Sequence, residues 1–262
     1  LHPRVRRQRQ MCIRDRVKAL LKLNEISKER VVEVLVMSRN SPDTSLRIFS
    51  SIEHYGLDIT RAVLSGGTSL SAYLKAFGVD LFLSANEGDV KDAINSGFAA
   101  GRIYTNTIYD FDPMKELKQI RIAFDGDAVL FSDEAERIFQ KDGLEAFVEN
   151  EKQNARKELP EGPFAKFLKT ISDLQKRFEP ESSPIRTALV TARNAPAHER
   201  VVRTLRAWDV RIDEAFFLGG ISKTEVLKAF EPHIFFDDQK VHADSASNVV
   251  PSAQVPWKNE KQ

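Results

Sequence analysis

Two aspartates one residue apart, Asp125 and Asp127, have the type and spacing to do chemistry. They lie in the stretch IAFDGDAVLF, where a short apolar run ends in an acidic, glycine-containing segment. Such a run predicts a buried parallel strand that leads into a loop. Both carboxylates would then lie at the carboxyl edge of a sheet, where open α/β sheets bind their ligands.

Two carboxylates this close repel each other, so either one holds a proton with a raised pKa or a cation lies between them. Oxygen ligands in this number suit Mg2+, which keeps several waters and works with phosphate groups. A second interpretation is that DGD is an ordinary turn, since Asp and Gly are common turn residues. The aspartate pair alone does not decide between the two.

Three more short apolar runs follow, and each leads to polar residues. The runs are 187–190, 216–218 and 234–236, and they lead to Thr191, to Lys223 within the sequence GGISK, and to the pair Asp237 and Asp238. A hydroxyl at a strand end can donate to a phosphate oxygen, and a lysine at a helix start stands where anions bind. Four predicted strands thus bring acidic, hydroxyl and ammonium groups to one edge.

That order, DxDxV then Thr then Lys then DD, resembles the haloacid dehalogenase superfamily of phosphotransferases. More narrowly, FDGDAVLFSDEAERIF, TARNAP, GGISKTEVLKAF and IFFDDQ are similar to the cytosolic 5'-nucleotidase family, which dephosphorylates nucleoside monophosphates. The resemblance covers most of the chain from Val17 onward. It implies an α/β fold with a Rossmann-like parallel sheet, helices on both faces and a small helical cap.

The resemblance also implies a role for each residue at this edge. Asp125 would be the nucleophile that forms an aspartyl-phosphate, and Asp127 the general acid and base. Thr191 and Lys223 would complete the catalytic set by holding the phosphoryl oxygens. The substrate-binding residues would be Thr191, Arg193, Asn194 and Lys223. Without the aspartates, Thr191 and Lys223 would be interpreted as a backbone-bonded hydroxyl and a solvated lysine.

The resemblance implies Mg2+ as the cofactor. Its ligands would be Asp125, the backbone carbonyl of Asp127, and one carboxylate of the pair Asp237 and Asp238. We favour Asp238 as the direct ligand, with Asp237 acting through water.

The first half of the chain resembles a degenerate copy of the second. SRN at 38–40 matches ARN with an offset of 154, and LKAF at 74–77 recurs with an offset of 153. Repeats of this kind mark duplicated units, although βα units also share composition by chance. At the chemical positions of this copy the residues are Met37, Leu70, Ser84 and Ala85. We therefore expect a scaffold or substrate platform, and we expect that the opening strand of this copy has been lost by truncation.

These features divide the chain into three parts. Residues 1–16 form a leader, 17–119 the degenerate amino-terminal half, and 120–262 the catalytic domain with a cap insertion at about 132–184. The cap contains candidates for stacking on a nucleotide base, although aromatic residues at helical spacing are more often core. They are Phe139, Phe147, Phe164 and Phe167.

The leader has an unusual composition, with six arginines and one acidic residue among its 16 positions. Arginine-rich leaders can be transit peptides or nucleic-acid arms. However, MCIRDR resembles a translated sequencing adapter, so we expect the leader to be non-native and the protein to be truncated here. Without it the net charge falls from +1 to −4, which does not favour nucleic-acid binding.

The remaining composition is that of a cytoplasmic α/β protein. The single cysteine, Cys12, lies in the leader, so no disulfide is expected. No apolar run approaches the ~20 residues that span a bilayer. We expect a nucleoside monophosphate as the partner and leave homo-oligomer formation open. The alternatives are a phosphatase of another small phosphomonoester, such as a sugar phosphate, and a non-catalytic nucleotide-binding scaffold.

Overall fold

A computed structural model describes residues 17–27, 29–105 and 118–256 of the chain. Within these residues the strands β1 to β9 are Val36–Ser38, Ala62–Leu64, Leu81–Ser84, Ala99–Ile103, Ile120–Phe124, Ile185–Thr191, Glu214–Phe217, Ile234–Asp237 and Ser252–Gln254. The helices α1 to α9 are 17–27, Ser45–His54, Ser71–Ala76, Glu87–Asn95, Glu134–Gln153, Ala165–Gln175, His198–Ala207, Lys223–Phe230 and Lys240–Ser247. The predicted leader lies outside the described residues.

The main sheet has seven strands in the order β3-β4-β9-β8-β5-β6-β7. All neighbours are parallel except β4 and β9, so β3 and β4 run opposite to the other five strands. The sheet is therefore mostly parallel, and it departs from the predicted parallel sheet at one junction. At this junction β4 of the first half lies beside β9 of the second half. The two strands are close together, since a Cβ at Gly101 would come within 3.0 Å of Ala253.

The four strands predicted to end in polar residues are present as β5 to β8 and are mutually parallel. Their carboxyl ends therefore lie at the same edge of the sheet, as expected from the sequence. β1 and β2 form a separate parallel pair. Among the described residues, no strand joins this pair to β3.

Helices cover both faces of the main sheet. Side chains of successive strand residues point to opposite faces, so each strand contributes to the core on both sides. On β5, Ile122 and Phe124 belong to a core cluster that includes Leu168 of α6 and Val201 of α7. Ala123, between them, belongs to a second cluster with residues of α8 and α9. The predicted arrangement of helices on both faces is confirmed.

Only part of the predicted cap at 132–184 remains a candidate for a lid in the structure. α6 belongs to the core and not to a lid. Its Leu168 is buried against the sheet, and the apolar face of the helix covers the sheet. Phe164 is fully buried, so it cannot stack on a base, and Phe167 packs against the same core. Phe139 of α5 is 46% exposed, which leaves α5 as the candidate lid.

The backbone of the first half recurs in the second at a constant spacing. Four positions with a left-handed backbone have counterparts 153 residues later. Most residue types other than glycine are strained in this conformation. The pairs are Gly56 and Asp209, Gly66 and Gly219, Gly67 and Gly220, and Gly78 and Glu231. The same spacing relates β1 to β6, β2 to β7 and β3 to β8.

This spacing corrects the sequence alignment at one position. The Ser38 hydroxyl accepts a 3.2 Å hydrogen bond from the Asn40 N–H, as the Thr191 hydroxyl does from the Arg193 N–H. Ser38, and not Met37, therefore occupies the position that corresponds to Thr191. The offset of 154 was wrong by one residue. It was taken from the short identity between SRN and ARN, whereas the strands and their hydrogen bonds correspond at a spacing of 153.

In the part of the chain that the structure describes, no helix is both long and apolar enough to cross a bilayer.

Gly162 provides a test of how the loop after β5 is held. Its N–H donates to the Leu130 carbonyl at 2.9 Å, and a Cβ there would lie 2.3 Å from the Phe131 carbonyl oxygen. We expect Gly162→Ala to lower the free energy of unfolding by about 1–3 kcal/mol, since backbone must move to admit the methyl group.

Urea unfolding measures this loss, and Gly88→Ala is the control, because a Cβ at Gly88 would meet no backbone atom outside its own helix within 4 Å and only the Asn86 Oδ1 atom at 3.2 Å. Equal stability of the two variants would contradict the tight packing of this loop.

Candidate active site

The first aspartate of the motif is fixed at the end of β5. The Asp125 N–H donates to the Phe236 carbonyl at 2.8 Å, which ties the residue to β8. Its Oδ1 accepts a 2.7 Å hydrogen bond from the Gly126 N–H. The loop then closes with a bond from the Phe131 N–H to the Gly126 carbonyl, and Ala128 takes φ +58° within it. The DGD segment is therefore a constrained loop that presents a buried carboxylate.

Lys223 lies between two carboxylates at the start of α8. Its Nζ is 2.9 Å from Asp125 Oδ1 and 2.7 Å from Asp237 Oδ2, and all three side chains are buried. Burial alone would lower the pKa of Lys223, but Asp125 and Asp237 raise it above its ordinary value. Lys223 is therefore a permanent cation in the site. The Ser222 hydroxyl accepts from the Thr224 N–H and caps α8.

The aspartate pair after β8 divides into one satisfied and one unsatisfied residue. Asp237 uses Oδ2 for Lys223, and its Oδ1 accepts from the Gln239 N–H at 2.9 Å. Asp238 Oδ1 is buried and has no hydrogen-bond partner. One oxygen each of Asp125, Asp237 and Asp238 lie within 4.8 Å of one another. This cluster can hold a metal ion, and the unsatisfied oxygen fits that use.

Burial raises the pKa values of these carboxylates, and repulsion from neighbouring carboxylates adds to the shifts of Asp125 and Asp238. Burial raises the pKa of Asp125 to about 6, although Lys223 opposes the shift. Burial and the charges of Asp125 and Asp237 raise the pKa of Asp238 to about 9. Asp237 is also shifted upward by burial. A bound cation would relieve the repulsion that these shifts express.

Thr191 ends β6 beside the loop that carries Asp125. Its side chain is buried, and a Cβ at Gly126 would lie 3.3 Å from its Oγ1. Because Oγ1 accepts from the Arg193 N–H, the hydroxyl proton remains free to be donated towards an anion above the loop. The absence of a side chain at Gly126 leaves room for that contact.

Arg193 has different partners from those that its predicted role implied. Its side chain is 2% exposed, and its guanidinium makes two hydrogen bonds to Asp127, of 2.8 Å and 2.7 Å. A third bond, of 2.5 Å, joins it to Glu151 of α5. Glu151 also accepts from Arg200 of α7 at 2.9 Å. Arg193 is thus bound to two carboxylates within the protein.

Asn194 and His242 lie at the margin of the site. Asn194 is exposed, and a Cβ at Gly219 would lie 3.3 Å from its Nδ2, so it borders the loop that leads to Lys223. His242 Nδ1 is 3.8 Å from Asp237 Oδ2, and burial and Lys223 lower the pKa of His242.

Of the residues predicted from the sequence, the structure brings together Asp125, Thr191, Lys223, Asp237 and Asp238 around one loop. Asp127 is in the same loop with its carboxylate on Arg193. No sequence pattern pointed to Glu151 or Arg200 as site residues. Both lie on helices rich in charged residues, where a buried charge has the same pattern as a solvated one.

The sequence of the chain is similar to sequences of known proteins. A family model described as 5'-nucleotidase matches residues 14–262. Human Cytosolic 5'-nucleotidase 1B is 39% identical to the chain over 226 residues, which are 83% of this chain and 36% of the human protein. The chain therefore spans about a third of the length of that curated relative. No solved structure matches the chain.

The raised pKa values predict how the stability of the metal-free protein depends on pH. Asp125 and Asp238 bind protons more tightly in the folded than in the unfolded chain, so they favour folding at low pH. Their contribution to the free energy of unfolding is fully present below about pH 4. It is lost as the pH rises through about 6 for Asp125 and about 9 for Asp238. In chelator, we expect Asp238→Asn to gain at least about 1 kcal/mol relative to wild type between about pH 5 and pH 9.

Thermal unfolding at several pH values measures the difference. Asp173→Asn is the control, because this aspartate is exposed on α6. A constant difference between Asp238→Asn and wild type across the pH range would contradict the assignment.

Proposed function

Because the chain belongs to the 5'-nucleotidase family, we propose that it hydrolyses nucleoside 5'-monophosphates to nucleoside and inorganic phosphate. The observation that carries the proposal is the placement of Lys223 between Asp125 and Asp237, beside the unsatisfied Asp238. A buried nucleophile next to a fixed cation suits attack on an anionic phosphoryl group.

In the proposed first step, Asp125 attacks phosphorus and forms an aspartyl-phosphate. Gly126 and Lys223 both bind Oδ1, so we assign the attack to Oδ2. The bond between phosphorus and the 5'-oxygen breaks, and Asp127 gives its proton to that leaving oxygen. In the second step, water attacks phosphorus, the bond to Asp125 breaks, and Asp127 takes up the proton from water.

Lys223 and Thr191 would hold the phosphoryl oxygens in both steps. Lys223 supplies fixed positive charge where negative charge is spread in a loose transition state. The Thr191 hydroxyl has a proton to donate, because its oxygen already accepts from the Arg193 N–H. Neither residue has to move a proton, and both are held in position before substrate binds. Asn194, at the margin, is the residue we assign to contact the rest of the substrate.

We propose that Mg2+ binds between the carboxylates. Asp125 and Asp238 would hold it directly, together with the Asp127 backbone carbonyl, and Asp237 would act through water. The fit rests on the unsatisfied oxygen of Asp238 and on the two contacts that already occupy Asp237. When bound, Mg2+ supplies positive charge that neutralises the phosphoryl oxygens.

We propose that residues 17–119 are a non-catalytic copy of the core. The constant spacing of 153 residues between left-handed positions supports this. The copy keeps a hydroxyl at Ser38, but it has Leu70 where Lys223 stands and Ser84 and Ala85 where the aspartates stand. It therefore lacks the charges needed for phosphoryl transfer and would serve as a platform. α5 is the proposed lid, and a cytosolic location is proposed from the name of the human relative.

The activity is tested by phosphate release with Mg2+ across nucleoside monophosphates and sugar phosphates. We expect release from nucleoside monophosphates, and Asp125→Asn to lower kcat by more than about 10^3-fold, because it removes the nucleophile. Asp173→Asn, on the exposed surface, is the control.

Selective turnover of sugar phosphates would identify a different phosphatase. A folded protein that binds nucleotides but releases no phosphate would indicate the scaffold alternative. Full activity of Asp125→Asn would exclude the nucleophile assignment.

The metal assignment is tested by the rise in Tm on adding Mg2+. We expect a rise for wild type, and at least about a tenfold weaker apparent affinity for Asp238→Asn, since a direct ligand is lost. Asp237→Asn should retain more affinity than Asp238→Asn, because Asp237 is assigned to act through water. The reverse order would exchange the roles of the two aspartates.

A further inference from the structure

A second buried cluster of charges lies beside the carboxylate and lysine site. Arg193 binds Asp127 through Nε and Nη2 and binds Glu151 through Nη1, and Arg200 binds the other oxygen of Glu151. The exposed fractions of the Glu151, Arg193 and Arg200 side chains are 0%, 2% and 4%. Buried charges persist when they are paired and hydrogen-bonded, and this cluster holds two cations and two carboxylates.

Arg193 is held from three sides. Asp127 and Glu151 bind its guanidinium in the plane, and the Phe147 ring lies 5.6 Å from the guanidinium carbon. Arg200 fixes Glu151 in turn, and its Nε donates to the Lys157 carbonyl at 3.0 Å. A guanidinium with these contacts cannot rotate independently, so it also fixes the plane of the Asp127 carboxylate.

The contact also specifies the form of Asp127 that it orients. Both oxygens of Asp127 accept hydrogen bonds from Arg193, which has five donors and no acceptor. A carboxylate with both oxygens accepting is the proton-accepting form, which the second step of the reaction needs. The first step needs the proton-donating form instead.

We propose that Glu151, acting through Arg193, is a positioning residue that aligns Asp127 to take the proton of the water that hydrolyses phospho-Asp125. The inference rests on the aspartyl-phosphate route of the proposed function. In this step the water oxygen bonds to phosphorus, the bond from phosphorus to Asp125 breaks with its electrons on Asp125, and the water proton goes to Asp127. Phosphate leaves, and Asp127 carries the proton that the next leaving oxygen receives.

Glu151→Gln tests the proposal, because it keeps the volume of the side chain and removes its charge. Arg193 would then keep Asp127 as its carboxylate partner and lose the anchor that fixes its angle. We expect the second step to slow by about tenfold to hundredfold, while the first step keeps its rate, because Asp127 is protonated in the first step and then does not accept both hydrogen bonds from Arg193. Glu149→Gln is the matched control, since Glu149 is exposed on the same helix.

The readouts separate the two steps. With p-nitrophenyl phosphate and a nucleoside monophosphate, kcat and KM of Glu151→Gln should fall together, leaving kcat/KM unchanged. The two substrates should then share one kcat, and rapid mixing should show a burst of released alcohol. Acid quenching should trap more phospho-Asp125, detected by mass spectrometry, than in wild type or Glu149→Gln.

An equal fall in kcat and kcat/KM without a burst would overturn the proposal and assign Glu151 a merely structural role. If Glu151→Gln does not fold, Arg193→Lys serves instead, because it keeps the charge and loses the two-pronged contact. The same split of kcat from kcat/KM is expected of it. Failure of the proposed function is distinct, because wild type would then release no phosphate, or release it without phospho-Asp125 in any variant.

Discussion

Three carboxylates at one edge of a sheet repel one another, and the rest of the fold has to keep positive charge among them. Lys223 does so from the start of α8, where it lies within 3 Å of both Asp125 and Asp237. One ammonium group faces three carboxylates, and burial together with the remaining repulsion keeps the pKa values of Asp125 and Asp238 raised even with this lysine in place. The residual demand for positive charge is what makes the site suited to a metal ion and to an attacking carboxylate.

The strands and the residues at their ends could be predicted because they follow from backbone geometry. Parallel strands place their carboxyl ends together, so apolar runs that end in Asp125, Thr191 and Asp237 had to meet at one edge. The mixed direction of the sheet could not be predicted. It depends on how β4 and β9 approach each other, and the local pattern of a short strand does not specify the direction of its neighbour.

The charged cluster around Arg193 could not be predicted from the sequence, for a different reason. Glu151 and Arg200 lie on helices crowded with charged residues, and pattern alone cannot tell a buried pair from a solvated one. The same limit applied to α6, whose apolar stripe fits a lid as well as a layer of the core. A short identity around Arg39 also misplaced the repeat by one residue, whereas the hydroxyl of Ser38 and the left-handed positions fix the spacing at 153.

The position of Glu151 limits how much of α5 can act as the proposed lid. A buried carboxylate that binds two arginines is costly to remove from them, because separation leaves charges without partners in a poorly solvated place. The part of α5 that carries Glu151 is therefore anchored to the core. Gly143, at φ +81°, interrupts the helix between this part and Phe139. If α5 acts as the proposed lid, its movement is thus confined to the part before Gly143, and the contact between Arg193 and Asp127 does not depend on that movement.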